Sequence, residues 1–97
     1  MENLPAQLDT AADLTAVPAN VLQDLGAVAL DSMKVAGFDG ILRTAPTYVV
    51  RLAIRGCEPV TVEVIKTPDE SFILLGRDVL NQYRIILDGP QQTLEIE

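Results

Sequence analysis

A chain of 97 residues has room for one domain, residues 1–97, and 14 acidic against 7 basic side chains give it a net charge of −7. With no His, it can build neither a Ser-His-Asp nor a Cys-His nucleophilic site nor a His-ligated metal centre. A single Cys57 excludes an internal disulfide and a zinc–thiolate site. The acidic balance argues against nucleic acid as a ligand, and the apolar runs are too short to span a membrane. No metal and no cofactor is expected, so any chemistry must come from carboxylates. No signal-peptide pattern opens the chain, which leaves a cytoplasmic location as the default expectation.

The core must be aliphatic, because 48% of the residues are hydrophobic and the aromatics are only Phe38, Tyr48, Phe72 and Tyr83. Val, Ile and Thr number 10, 7 and 7, together 24 of 97, which favours an all-β class. Leu8-Asp9-Thr10-Ala11-Ala12-Asp13 joins one short apolar strand to another, Leu14 to Val17. A helix is expected from Ala19 to Leu25, entered after Pro18 and closed by Gly26 at the C′ position. Residues 28–46 read as extended, with a bend at Gly37-Phe38-Asp39-Gly40.

From Thr47 to Arg55 the alternation is regular: Tyr48, Val50, Leu52 and Ile54 face one way, Thr47, Arg51 and Arg55 the other. Gly56 turns the chain, and Val60, Val62 and Val64 resume the period opposite Thr61 and Glu63. The two runs read as a hairpin, with Pro59 at the first position of its second strand. After the polar loop Thr67 to Ser71, Phe72 to Leu75 is an unbroken apolar run, expected as a strand buried on both sides. Gly76 breaks it. A short helix follows from Arg77 to Tyr83, then strands Arg84 to Leu87 and Thr93 to Glu97 around the turn Asp88-Gly89-Pro90-Gln91.

Two of these segments together carry a resemblance. Leu8-Asp9-Thr10-Ala11-Ala12-Asp13 and Leu74-Leu75-Gly76-Arg77-Asp78-Val79-Leu80 stand in the order and spacing of the two signatures of the retropepsin-like, retroviral-type aspartic proteases and their cellular and bacterial relatives. The first family signature is an aliphatic residue, Asp-Thr/Ser-Gly-Ala, then Asp or Ser. The second is two aliphatics, Gly, Arg, Asp or Asn, and two more aliphatics opening a helix. Ala36-Gly37-Phe38-Asp39-Gly40 lies where the family has its Gly-rich flap. The resemblance covers residues 6–97.

It implies a small closed β-barrel with one or two short helices, in a two-fold symmetric homodimer. The implied activity is that of an aspartic endopeptidase. The chain holds one Asp-Thr-Ala loop, so the catalytic pair is Asp9 and its symmetry mate, titrating as a unit. Thr10 and Ala11 complete the catalytic loop, with the two Thr10 hydroxyls bracing the loops across the axis. A peptide or protein substrate would lie extended along Ala12, Asp13, Ala36, Gly37, Phe38 and Asp39, in apolar pockets made by Val17, Phe38, Ile41 and Leu74. Asp13 and Arg77 match a structural ion pair.

Three features depart from the family pattern. Ala11 replaces the usual Gly, Asp39 replaces a flap Gly, and only eight residues precede Asp9, where the family has a further strand or hairpin. They leave a second expectation, a retropepsin-fold peptide-binding or dimerisation module with impaired catalysis. Without the resemblance, Asp9-Thr10 is ordinary turn chemistry, Leu74 and Leu75 are core residues, and Cys57 is incidental.

Overall fold

The structure is a computed structural model that describes residues 4–36, 39–67 and 71–97. The central hairpin follows the alternation. β4 (Leu42–Leu52) and β5 (Val60–Thr67) pair antiparallel from Thr47↔Ile65 to Leu52↔Val60. Opposed residues share a face, so Tyr48, Val50 and Leu52 meet Val64, Val62 and Val60 on the core side. Arg51 and Glu63 face outward. Ahead of Thr47, β4 pairs with β3 (Asp31–Ala36) out to Ala36↔Leu42, which makes most of residues 28–46 extended as expected. Gly37 and Phe38, at the expected bend, lie outside the described residues.

Three short strands complete a six-stranded sheet in the order β1-β6-β2-β5-β4-β3. They are β1 (Ala6–Leu8), β2 (Ala16–Pro18) and β6 (Ile73–Leu75). β6 lies between β1 and β2, parallel to the first and antiparallel to the second. The chain joining β1 to β2 must therefore pass over the end of β6, and that crossing positions Asp9. α1 (Ala19–Asp24) follows β2 directly and ends at Gly26, whose φ of +68° is the left-handed closure that favours glycine.

α2 (Arg77–Leu80) is shorter than the expected Arg77 to Tyr83. Past Asn81 the backbone tightens, with the N–H groups of Gln82 and Tyr83 donating to the carbonyls of Val79 and Leu80 three residues back. The Tyr83 hydroxyl donates to the Glu58 carbonyl at 2.9 Å. β7 (Ile85–Asp88) and β8 (Thr93–Ile96) form a separate hairpin around the expected turn.

The core is aliphatic: Val17, Val21, Leu22, Val64, Leu75 and Val79 are among its buried members. Two expectations differ from the structure. Among the described residues the strands form an open sheet, not a closed barrel, because β1 and β3 are both left as edges. For the same reason the run Phe72 to Leu75 is not buried throughout: only Leu75 is fully covered, since β1 gives β6 an exposed neighbour.

Candidate active site

Asp9 is the first residue after β1, half-buried, and its main chain is fixed at both ends. Its N–H donates to the Leu75 carbonyl at 2.9 Å, extending the β1–β6 ladder by one bond, and its carbonyl accepts the Ala12 N–H at 3.1 Å. The carboxylate folds back over its own loop, where Oδ1 accepts the Ala11 N–H at 3.2 Å. Ala11 has no positive φ; among the described residues Gln92 is the one non-glycine that does. The methyl group at position 11 therefore imposes no backbone strain on this loop.

The rest of the loop is tied to the second signature. Arg77 N–H donates to the Ala12 carbonyl at 2.8 Å and Asp78 N–H to the Asp13 carbonyl at 3.3 Å. The Arg77 guanidinium also pairs with the Asp13 carboxylate, both side chains being largely exposed. Asp13 and Arg77, which the resemblance matches to a structural ion pair, meet here at the surface.

A tighter link lies beneath it. One Asp78 carboxylate oxygen accepts the Thr15 hydroxyl at 2.7 Å and the other the Thr15 N–H at 3.1 Å. Thr15 Oγ1 in turn accepts the Gly76 N–H at 3.0 Å. The same carboxylate also accepts the Val79 N–H at 2.8 Å, within the first turn of its own helix. Gly76 sits where the loop crosses β6. A Cβ there would stand 2.5 Å from the Leu14 carbonyl carbon and 2.6 Å from its oxygen, so only glycine lets the two chains pass. Asp78 and Thr15 carry positioning roles that a sequence reading does not give them. An Asp in the first turn of a helix looks solvated, and its partner is 63 residues away.

The structure brings Asp9, Thr10, Ala11, Ala12, Asp13 and Arg77 to one end of the β1–β6–β2 group. Thr10 and Ala11 are exposed there. Leu74 is half-buried and directly opposite Ala16, so these two share a face. Val17, which the resemblance puts in the substrate wall, points the other way, into the core, and is 3% exposed. Ala16 takes its place beside Leu74. Both residues of that pair are apolar and buried, so alternation alone could not choose between them.

Ala36 closes the β3–β4 ladder opposite Leu42, and Ile41 is exposed. Asp39 stands just past the bend. Its carboxylate accepts the Ile41 N–H at 3.0 Å and pairs with the Arg43 guanidinium at 2.8 Å. The Arg43 hydrogen bond, then the Ile41 N–H, hold its pKa below the ordinary 3.8.

No helix is long and apolar enough to cross a membrane among the described residues. No family model and no curated protein matches the chain in sequence. Its fold does match solved structures. The foamy viral protease-reverse transcriptase in complex with an RNA/DNA hybrid superposes with a TM-score of 0.68 at 17% identity, over 84% of this chain. The chain spans only 10% of that protein's length. The retroviral protease-like domain of Ddi1 from Leishmania major superposes with a TM-score of 0.60 at 16% identity, over 97% of this chain and 78% of that one. This chain therefore has the fold of retroviral protease-like domains.

Proposed function

We propose that the chain is an aspartic endopeptidase of the cellular or bacterial retropepsin-like branch, working as a homodimer with one Asp9 from each subunit. The observation that carries this reading is the anchoring of the Asp9 loop: both signatures meet over the end of β6, on a fold shared with retroviral protease-like domains. Two carboxylates within hydrogen-bond reach cannot both ionise, so one stays protonated. The ionised member takes a proton from water as its oxygen attacks the peptide carbonyl. The protonated member donates to that carbonyl oxygen, and the departing amine is protonated as the intermediate collapses. In this dimer the Thr10 hydroxyls brace the paired loops.

The β3–β4 hairpin is the flap in this reading, and a peptide lies extended beneath it. Leu74 and Ala16 supply apolar walls, with main-chain hydrogen bonds giving affinity. The ionised Asp39 at the hairpin end disfavours acidic substrates. The unstrained backbone at Ala11 weighs against the impaired-module reading.

A peptide library incubated with the chain at mildly acid pH is the test. Cleavage is expected to rise faster than linearly with protein concentration near the dimer constant, and Asp9→Asn is expected to abolish it with the circular dichroism spectrum unchanged. Cleavage that survives Asp9→Asn, or a chain that stays monomeric at high concentration, removes the proposal.

A further inference from the structure

Two buried side-chain oxygens have no hydrogen-bond partner among the described residues, Thr47 Oγ1 and Thr67 Oγ1, and both lie on one face of the sheet. The strand register places them. Leu74 pairs with Ala16, Ala16 with Ile65, Ile65 with Thr47 and Thr47 with Asp31, a single row across the five strands from β6 to β3. Paired residues share a face, and this one is turned away from the Val17, Val62 and Val64 core. Thr67 belongs to it by alternation from Ile65, and Met33 and Val35 by alternation from Asp31. Met33 and Val35 are half-buried, whereas Ser32, Lys34 and Ala36 on the other side of β3 are exposed. The row starts at the Leu74–Ala16 wall proposed for the substrate and passes over apolar Ile65. Its far end is a hydroxyl and a carboxylate. Asp31 is exposed, and one of its oxygens accepts the Ser32 N–H at 2.8 Å. Among the described residues no cation pairs with it: Arg43 is bound to Asp39 and Arg77 to Asp13.

We propose that the row Ile65–Thr47–Asp31 is a subsite for a basic side chain, so that the protein selects peptides carrying Lys or Arg among apolar residues. That the occupant is a peptide rests on the endopeptidase reading. Neighbouring strands lie about 4.8 Å apart, so about 10 Å separates Ile65 from Asp31. A long side chain laid along the row rests its methylene stem on Ala16 and Ile65 and carries its charged end to Asp31. An apolar stem with a cationic tip suits a wall that is apolar at one end and anionic at the other. An ammonium group has three donors and no acceptor, and the Asp31 carboxylate and the Thr47 hydroxyl oxygen both accept. A buried hydroxyl without a partner costs stability until a donor arrives, so Thr47 gains on binding what it lacks in the free chain. The hydroxyl is covered in the free chain, and binding must shift the side chains above it; Asp31 and Leu30 beside it are exposed and change rotamer readily. An acidic side chain would meet Asp31 as a like charge. An aliphatic one would cover the stem positions and leave the hydroxyl unpaired. Every residue of the row belongs to one subunit, so the subsite does not depend on dimer formation.

The probe is a fluorescein-labelled peptide, Ser-Val-Ala-Lys-Ala-Leu-Ser, set against counterparts with norleucine or Glu in place of Lys. Norleucine keeps the stem and removes the ammonium. The three are titrated by anisotropy into Asp9→Asn, which holds them uncut, and their cleavage is followed with the wild-type chain. The lysine peptide is expected to bind about tenfold tighter than the norleucine peptide, and the Glu peptide weakest of the three. Asp31→Asn should bring the lysine peptide down to the norleucine level with the circular dichroism spectrum unchanged. Thr47→Val should weaken the lysine peptide about threefold and leave the norleucine peptide as it was. Equal affinities for lysine and norleucine, no binding of any of the three, or a lysine advantage that survives Asp31→Asn or is untouched by Thr47→Val overturns the proposal. The two readings fail separately. A lysine preference that follows Asp31 in Asp9→Asn upholds the subsite even if the wild-type chain cuts nothing. Cleavage by the wild-type chain with no preference for lysine upholds the endopeptidase and removes the subsite.

Discussion

The crossing over β6 and the far end of the β3–β4 hairpin are opposites. At the crossing, Gly76, Thr15 and Asp78 are bound to one another through main chain and side chain, and Thr15 has no solvent exposure. At the hairpin end, Ile41 and Leu42 are 55% and 64% exposed, and the side-chain fastening is the surface pair of Asp39 and Arg43. A loop that must hold a carboxylate in one place is over-determined. An element that has only to reach over it is held by its ladder and one local contact. Substitutions should therefore cost most at the crossing and least at the hairpin end.

The largest effect is expected from Gly76→Ala. The new methyl would meet main-chain atoms at 2.5 and 2.6 Å, which no rotamer change can relieve. A loss of about 3 kcal/mol is expected from such overpacking, read as a shift of the urea midpoint at constant slope. Any cleavage should fall along with stability, because the Asp9 loop is displaced. An unchanged midpoint would mean that the crossing is looser than its geometry.

Asp78→Ala comes next. It leaves the Thr15 N–H and the Thr15 hydroxyl without their acceptor, while the Val79 N–H keeps the Gly76 carbonyl at 3.1 Å. Bonds to a charged acceptor in a partly buried site put the loss at about 2–3 kcal/mol. Asp78→Asn should recover part of it by keeping one acceptor oxygen. Arg77→Ala, which removes only the exposed pair with Asp13, should cost under about 1 kcal/mol. If the Arg77 change proves the costlier, the surface pair and not the buried link fastens the loop.

How much of this was legible depended on the range of the interaction. The β4–β5 hairpin and the Gly26 closure were readable because alternation and a left-handed turn are local. The end of α2 was not: the backbone tightens past Asn81, where Tyr83 also bonds to Glu58, 25 residues away. Asp9 and Arg77 stood out only through paired signatures; Asp9-Thr10 by itself is turn chemistry. Gly76 was readable as a break but not as a crossing, because what it accommodates is Leu14 on a distant segment. The open sheet was hidden as well, because strand count and composition do not say which edges meet.

A change of opposite sign is expected between the two extremes. Thr47 is 1% exposed, and its hydroxyl finds no hydrogen-bond partner among the described residues. Thr47→Val keeps the shape and removes the unpaired group, so a gain of up to about 1 kcal/mol is expected, again from the urea midpoint. A loss would show that the hydroxyl has a partner in solution.

The smallest effect belongs to the hairpin end, and it is local and pH-dependent. Asp39 has a folded pKa below its ordinary 3.8, chiefly through the Arg43 hydrogen bond and secondarily through the Ile41 N–H. A carboxylate depressed in the folded state stabilises its surroundings above the unfolded pKa and loses that contribution as pH falls through the folded one. The pair should therefore be intact at pH 5, where a two-carboxylate protease would work, and should open only below 3.8. Because Asp39 is exposed to solvent, its opening should leave global stability almost unchanged. Arg43→Ala should return the Asp39 midpoint toward 3.8 in a carboxyl-carbon NMR titration, and raised salt should do the same more weakly. An Asp39 midpoint that does not move in Arg43→Ala would assign the depression to the Ile41 N–H alone, making the hairpin end a main-chain turn that needs no cation.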